Sequence, residues 1–249
     1  RPFRGAGRPE AAAAIERAMD LFAAEIEMDP AEVRRRNLLA DDVYPYRTPG
    51  GAVYDIGAYT TALDMALEAS DYAGLRAEQV RRREAGEARQ LGIGLSVYVE
   101  ITALGGGGEF GTVTALGDGT VEVRTGATPF GQGHDTTWKM LASDRLGVPM
   151  EAVRVIHGDT DDVAAGSTTG GSRSVQIAGS SILSASAHLI DRAREQAAEL
   201  LEASVDDVVL DTASGQFHVA GVPAVGVSWG EVAGQSGEPL MGASDFTAE

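Results

Sequence analysis

The chain has 249 residues, 43% of them hydrophobic, no cysteine and a formal net charge of −17. The missing cysteines exclude disulfides, thiolate metal sites and iron–sulfur ligation within the chain, and the acid excess disfavours a nucleic-acid backbone, whose binding draws on clustered Lys and Arg. No apolar run reaches the roughly 20 residues that span a membrane and no signal pattern is present, so a cytoplasmic location is the default expectation.

The opening RPFRGAGRPE reads as a loop entering a helix with Pro9 in its first turn. Residues 10–28 are rich in Ala, Glu, Leu and Met, with Ile15, Met19, Phe22 and Ile26 on one stripe, which predicts an amphipathic helix. Asp29 and Pro30 start a second helix through about Leu39, and its run Arg34-Arg35-Arg36 is expected to pair with carboxylates on a neighbouring helix or across an interface. Residues 41–57 read as a surface loop, and 60–69 and 72–84 as two further helices, the second with a solvated charged face. From Gln90 the pattern turns to sheet. Residues 91–99 alternate as a strand, glycines at 105–108 interrupt, and 109–116 and 120–125 form a hairpin around Asp118-Gly119.

Two glycine-rich, hydroxyl-rich turns follow. Pro129-Phe130-Gly131-Gln132-Gly133 feeds a helix over 134–146, and Gly166-Ser167-Thr168-Thr169-Gly170-Gly171-Ser172 precedes a long helix over 175–203; a buried strand, 153–156, lies between them. Both turns deliver backbone N–H groups to helix N-termini, where an anionic oxygen is favoured without any lysine. Gln132 adds a donor and an acceptor, and Ser167, Thr168, Thr169, Ser172 and Ser174 add hydroxyls, an inventory that suits a heteroaromatic, pterin-like ligand with phosphates. Neither turn has the GxGxxG or GxxxxGK[ST] spacing, and glycines of this kind also serve merely to make tight turns. His157, Asp159 and Asp161 are close in sequence, but the histidines at 134, 157, 188 and 218 have no ligand spacing, so no side-chain metal site is expected. The remainder reads as short strands at 208–210 and 215–219, a brief helix at 229–233 entered from Ser228, and an irregular tail over 234–249. The reading is an α+β fold of mixed helices and sheets, incomplete at both ends, with a helical segment 1–88 and an α/β segment 89–249.

PFRGAGRPEA, then GQGHDT with LGVPMEAVRVIHGDTD, then GSTTGGSRS, in that order, resemble the large, molybdenum-cofactor-binding subunit of the xanthine dehydrogenase, aldehyde oxidase and carbon monoxide dehydrogenase family. The resemblance implies a molybdenum hydroxylase that oxidises an aldehyde or N-heterocycle with water-derived oxygen. It also implies a molybdopterin cytosine dinucleotide cofactor, an iron–sulfur small subunit, an FAD medium subunit, and a homodimer as one possible assembly, with neither nucleic acid nor membrane as a partner. By the same resemblance Arg4 lies beside the metal centre, and Gly5, Ala6 and Gly7 face substrate. Ala6 stands where purine-oxidising members carry a stacking phenylalanine. Gly131, Gln132, Gly133, Thr169, Gly170, Gly171, Ser172, Arg173 and Ser174 fall on the cofactor-binding motifs. The absence of cysteine points away from the carbon monoxide branch, although that cysteine would fall upstream of Arg1. The family's catalytic glutamate is expected outside these residues, Gly237-Glu238-Pro239 being too early in the subunit to supply it, so the piece alone is expected to hold no cofactor and show no activity. Another nucleotide-binding enzyme using the same turns, and a noncatalytic scaffold domain, stay open.

Overall fold

The computed structural model describes residues 5–103, 107–166 and 169–248. It divides into two compact units, Arg1–Glu100 and Ile101–Glu249.

The first unit carries α1 (Arg8–Glu25), α2 (Pro30–Asn37), a small antiparallel ribbon of β1 (Tyr46–Arg47) and β2 (Val53–Tyr54), α3 (Tyr59–Ala69) and α4 (Tyr72–Glu84). Asp29 caps α2 by accepting from the N–H of Ala31 at 2.8 Å, which satisfies a donor the helix itself leaves open. The arginine run pairs as its sequence suggested. Buried Arg34 reaches back to α1, with Nε 2.8 Å from Glu16 Oε2 and Nη2 3.0 Å from Asp20 Oδ1, while Arg35 pairs with Asp64 of α3 and with Glu32. On α4, Arg81 and Arg82 clasp Glu78 at 2.6 and 2.7 Å and hold its carboxyl down to about 2.

Two expectations fail in this unit. The α1 stripe is not a core face: Ile15, Phe22 and Ile26 are all exposed, and the side chains that bury are Ala23 of α1, Ala31, Val33 and Leu63. Residues 91–99 keep the alternating exposure of a strand but pair with no other strand among the described residues, and three of their backbone groups bond helix side chains instead.

The second unit is a four-stranded sheet in the order β5-β4-β3-β9, formed by β3 (Gly107–Ala115), β4 (Val121–Thr125), β5 (Val153–Ile156) and β9 (Leu240–Ala248). The β4/β5 pair is parallel and is joined through α5 (His134–Leu146); the other pairs are antiparallel. A π-helical turn, Val175–Gly179, opens α6 (Ser180–Leu200), which lies across β3 and β9. A three-stranded antiparallel sheet of β6 (Val208–Asp211), β7 (Gln216–Val219) and β8 (Gly226–Ser228) and the helix α7 (Trp229–Gln235) complete it. The core is shared by sheet and helices: Val113, Val121, Val123, Trp138, Leu146, Ile182, Leu189, Phe217, Trp229 and Leu240 are fully or almost fully buried, each large apolar side chain contributing ~1.5–3 kcal/mol of transfer free energy.

The tail expected to be irregular is instead β9, paired with β3 residue for residue from Leu240↔Ala115 to Ala248↔Gly107. Its middle, Gly242-Ala243-Ser244, is small where α6 presses on it. A Cβ on Gly242 would stand 2.0 Å from the Ala185 carbonyl oxygen, so only glycine fits under the helix. No helix among the described residues is long and apolar enough to cross a membrane.

Candidate functional site

The two glycine-rich turns of the second unit, 40 residues apart in sequence, meet in space. Thr169 Oγ1 donates to the Thr128 carbonyl at 2.7 Å. Below that bond the backbones of Gly126 and Gly166 cross so closely that a Cβ on either would lie 2.1–2.2 Å from the other's Cα. Only paired glycines permit such an approach.

A carboxylate fixes the crossing from beneath. Glu109 of β3 is buried, 2% exposed, and its Oε1 accepts the Gly126 N–H at 3.0 Å. The same oxygen lies 3.0 Å from where a Gly166 Cβ would stand. Glu109 opens a strand in the sequence and has no motif around it, so nothing short of the fold brings it to notice. Arg173 brings its guanidinium 3.0 Å from the Cβ position of Gly107, along the same end of β3.

Above the crossing the turns stay open. Gly131 and Gly133 adopt φ of 105° and 79°, and neither they nor Gly170 and Gly171 meet anything within 4 Å of a Cβ position among the described residues. Gly133 precedes α5 without any side-chain cap, so the N–H groups of the first turn of α5 remain available. The Gln132 side chain is already half committed: its Oε1 accepts the Phe130 N–H inside the turn. The sequence had offered Gln132 as both donor and acceptor toward a ligand; the fold leaves the amide NH₂ for that role. Ser172 sits at φ 53° beside Gly171 at 66°, and Ser174 Oγ reaches Thr169 Oγ1 at 3.5 Å, so the hydroxyls gather on the second turn.

Two histidines brace this end of the sheet. His134 is buried on Trp138, ring centroids 5.2 Å apart, and its Nδ1 meets the Ala127 carbonyl at 3.1 Å; since a carbonyl only accepts, Nδ1 carries the hydrogen. His157, just past β5, places Nε2 3.0 Å from Asp135 Oδ1 in the first turn of α5. Asp135 is the one acidic residue among the described residues of the first turn of α5. The contact is invisible in the spacing of the sequence, where His157 and Asp135 are 22 residues apart.

The cradle presents backbone N–H, amide NH₂ and hydroxyl donors, an open floor of glycines and no cluster of metal-ligating side chains among the described residues. That donor set fits phosphate and pterin edges and does not fit a metal held by protein. A profile of the molybdopterin cofactor-binding domain matches residues 65–249, and a second profile of the same description matches residues 1–38. The chain belongs to the molybdopterin cofactor-binding domain family. It is 37% identical over 223 residues to the carbon monoxide dehydrogenase large chain of Hydrogenophaga pseudoflava, covering 85% of this chain and 28% of that one. It is 34% identical to the nicotine 6-hydroxylase large subunit of Paenarthrobacter nicotinovorans, covering 93% and 29%. Its fold superposes on the solved carbon monoxide dehydrogenase of Oligotropha carboxidovorans with a TM-score of 0.82 at 30% identity, covering 95% of this chain and 32% of that one. The chain thus spans under a third of the length of these relatives. The resemblance carried by GQGHDT, GDTD and GSTTGGSRS is borne out, as is the α+β fold.

Of the residues singled out from sequence, Gly131, Gln132, Gly133, Thr169, Gly170, Gly171, Ser172, Arg173 and Ser174 all belong to the second unit, where the two turns that carry them come together. Ser167, Thr168 and Arg4 lie outside the described residues. Gly5, Ala6 and Gly7 belong to the first unit and form a left-handed run with φ of 86°, 45° and 97° leading into α1. For Ala6 that conformation costs ~1 kcal/mol, and it leaves the methyl exposed. Glu100, at the end of the extended segment 91–99, pairs with Arg8.

Proposed function

We propose that this chain forms the part of a molybdenum hydroxylase large subunit that grips a molybdopterin cytosine dinucleotide between residues 128–133 and 166–174. The observation that carries the reading is the crossing of the two turns at Gly126 and Gly166, which gathers uncapped helix N–H groups, the Gln132 amide and the Thr169, Ser172 and Ser174 hydroxyls beside one open floor. When bound, that cofactor supplies a two-electron oxidation of an electron-poor C–H bond and passes the electrons onward. The residues of this chain bind and orient. The N–H groups at the start of α5 receive anionic oxygens, and the Gln132 NH₂ donates to a ring or phosphate acceptor. His157 holds the Asp135 side chain through a hydrogen bond at 3.0 Å.

In the whole protein Arg4 lies beside the metal centre, Gly5, Ala6 and Gly7 border the substrate, and the catalytic glutamate comes from outside these residues. Partners are an iron–sulfur small subunit and an FAD-binding medium subunit, in a cytoplasmic complex that can dimerise. Ala6 offers no ring for stacking, which favours an aldehyde or a small N-heterocycle such as the relatives' nicotine over a purine. A cradle lacking the remaining donors loses hydrogen bonds and burial while the cost of fixing the ligand stays, so the 249 residues alone hold no cofactor and do not turn over. The test is turnover of aldehydes and N-heterocycles with an artificial electron acceptor, run on the large subunit with its partners and on the 249-residue chain. Activity confined to the assembly is expected. Turnover by the 249 residues would contradict the assignment of the base to another segment, and an inert, molybdenum-free assembly would leave a nucleotide-binding or scaffold role in its place.

A further inference from the structure

The first unit contains an extended segment that joins no sheet among the described residues. Residues 91–99 are extended, with Leu91, Ile93, Leu95 and Val97 half-buried and Gly92, Gly94, Ser96 and Tyr98 exposed. In an extended chain successive residues aim their N–H and C=O at opposite edges. On the edge of the odd-numbered residues three groups are taken by helix side chains: Leu91 O accepts Gln79 Nε2 at 3.0 Å, Leu95 O accepts Arg34 Nη2 at 3.2 Å, and Val97 N–H donates to Glu16 Oε2 at 3.0 Å. On the other edge the N–H and C=O groups of Gly92, Gly94, Ser96 and Tyr98 make no hydrogen bond among the described residues. Four residues of open ladder on a segment about 30 Å long are a template for another strand.

We propose that residues 92–98 receive a β-strand from large-subunit polypeptide outside these 249 residues, an inference that rests on the proposed membership of a longer hydroxylase subunit. Three observations select that occupant. The relatives that match across this segment are more than three times longer than the chain. The first unit has no core of its own: among the described residues its buried apolar side chains are Ala23, Ala31, Val33 and Leu63, while Ile15, Met65 and Tyr98 are each more than 60% exposed. A unit of about 100 residues does not hold together on so little burial, so its faces are interfaces. Finally, Leu38, Leu39, Tyr54, Tyr59, Val97 and Tyr98 line a cavity of about 210 Å³ at the far end of the open edge, sized for an apolar side chain on an arriving segment.

Amide hydrogen exchange, read on the large subunit and on the 249-residue chain, tests this. The even-numbered amides from 92 to 98 are expected to exchange about a hundredfold more slowly in the large subunit than in the shorter chain. Replacing Ser96 with proline, which deletes one donor on the open edge, is expected to abolish that protection in the large subunit, whereas Ser96→Thr retains it. Equal, fast exchange in both proteins would overturn the proposal. So would protection in the 249-residue chain, whether it elutes as a dimer, making a second copy the occupant, or as a monomer. Molybdenum and pterin content of the same large-subunit preparation reports separately on the cofactor reading, so failure of one is not mistaken for failure of the other.

Discussion

Substituting Gly126 by alanine strikes the crossing on which the cradle depends. The new methyl would stand 2.1 Å from the Gly166 Cα, 2.7 Å from Glu109 Oε1 and 2.9 Å from the Ala165 carbonyl oxygen. Carbon atoms in contact rest about 3.5–4.0 Å apart, so the two backbones must separate by about 1.5 Å. Overpacking of this kind costs ~1–3 kcal/mol, and because the obstacle is backbone rather than a side chain that can rotate, the upper end applies. For a unit of this size that corresponds to a fall in Tm of about 6–12 °C. Gly170→Ala makes the opposite case. Its Cβ meets nothing within 4 Å among the described residues and its φ is outside the left-handed range, so stability should hold or rise by ~0.4–1 kcal/mol, while the methyl fills floor that the ligand needs. Thermal unfolding of the 249-residue chain and molybdenum content of the large subunit separate the two. Gly126→Ala should lose both stability and molybdenum, and Gly170→Ala molybdenum alone. A Gly126→Ala protein melting within about 2 °C of wild type, or a Gly170→Ala subunit with full molybdenum, would refute the reasoning.

Gln132→Ala in the large subunit should lower molybdenum occupancy, and because the Gln132 oxygen also braces the Phe130 N–H, Gln132→Glu, which keeps an acceptor but loses the NH₂, should lower it as well; full occupancy in the Glu variant would assign Gln132 to the turn alone. Arg34→Ala should cost ~3–5 kcal/mol, since it strands the carboxylates of Glu16 and Asp20 beside a buried position; denaturant unfolding measures it. Glu78 gives a pH signature. Its folded pKa of about 2, set by Arg81 and then Arg82, lies below the unfolded value of about 4.3, so its contribution is complete above that value and fades as pH falls toward 2. Side-chain carboxyl shifts in an NMR titration should show Glu78 still ionised at pH 3, and a midpoint near 4.3 would contradict the Arg81 and Arg82 clasp.

Elements with a local signature were legible in the sequence. Asp29 before Pro30 announced α2, the Asp118-Gly119 turn announced the β3/β4 hairpin, and Ser228 announced α7, where the structure adds a capping box with Glu231. Those whose stability comes from partners were not. β9 has a run of small and polar residues that alone suggests a loop, and only α6 above and β3 beside it make it a strand. Residues 91–99 fail in the reverse sense, carrying a strand pattern that pairs with no strand among the described residues. The stripe of Ile15, Phe22 and Ile26 marked a helix but not a core face, since all three side chains are exposed. At the site, Gln132 and the Gly170–Ser174 run could be named because glycine and hydroxyl motifs are contiguous, whereas Glu109 and the His157–Asp135 contact are assembled only by the register of β3 and the end of β5.

The central claim is that the crossed turns hold a pterin bearing a nucleotide. Mass analysis of the small molecules released on denaturing the native, full-length assembly, with molybdenum measured on the same sample, tests it most directly. The account predicts molybdenum and a pterin cytosine dinucleotide in equal amounts, both lost together in the Gly170→Ala protein. Native assembly that releases no pterin, or a Gly170→Ala assembly that keeps its full complement, would contradict it.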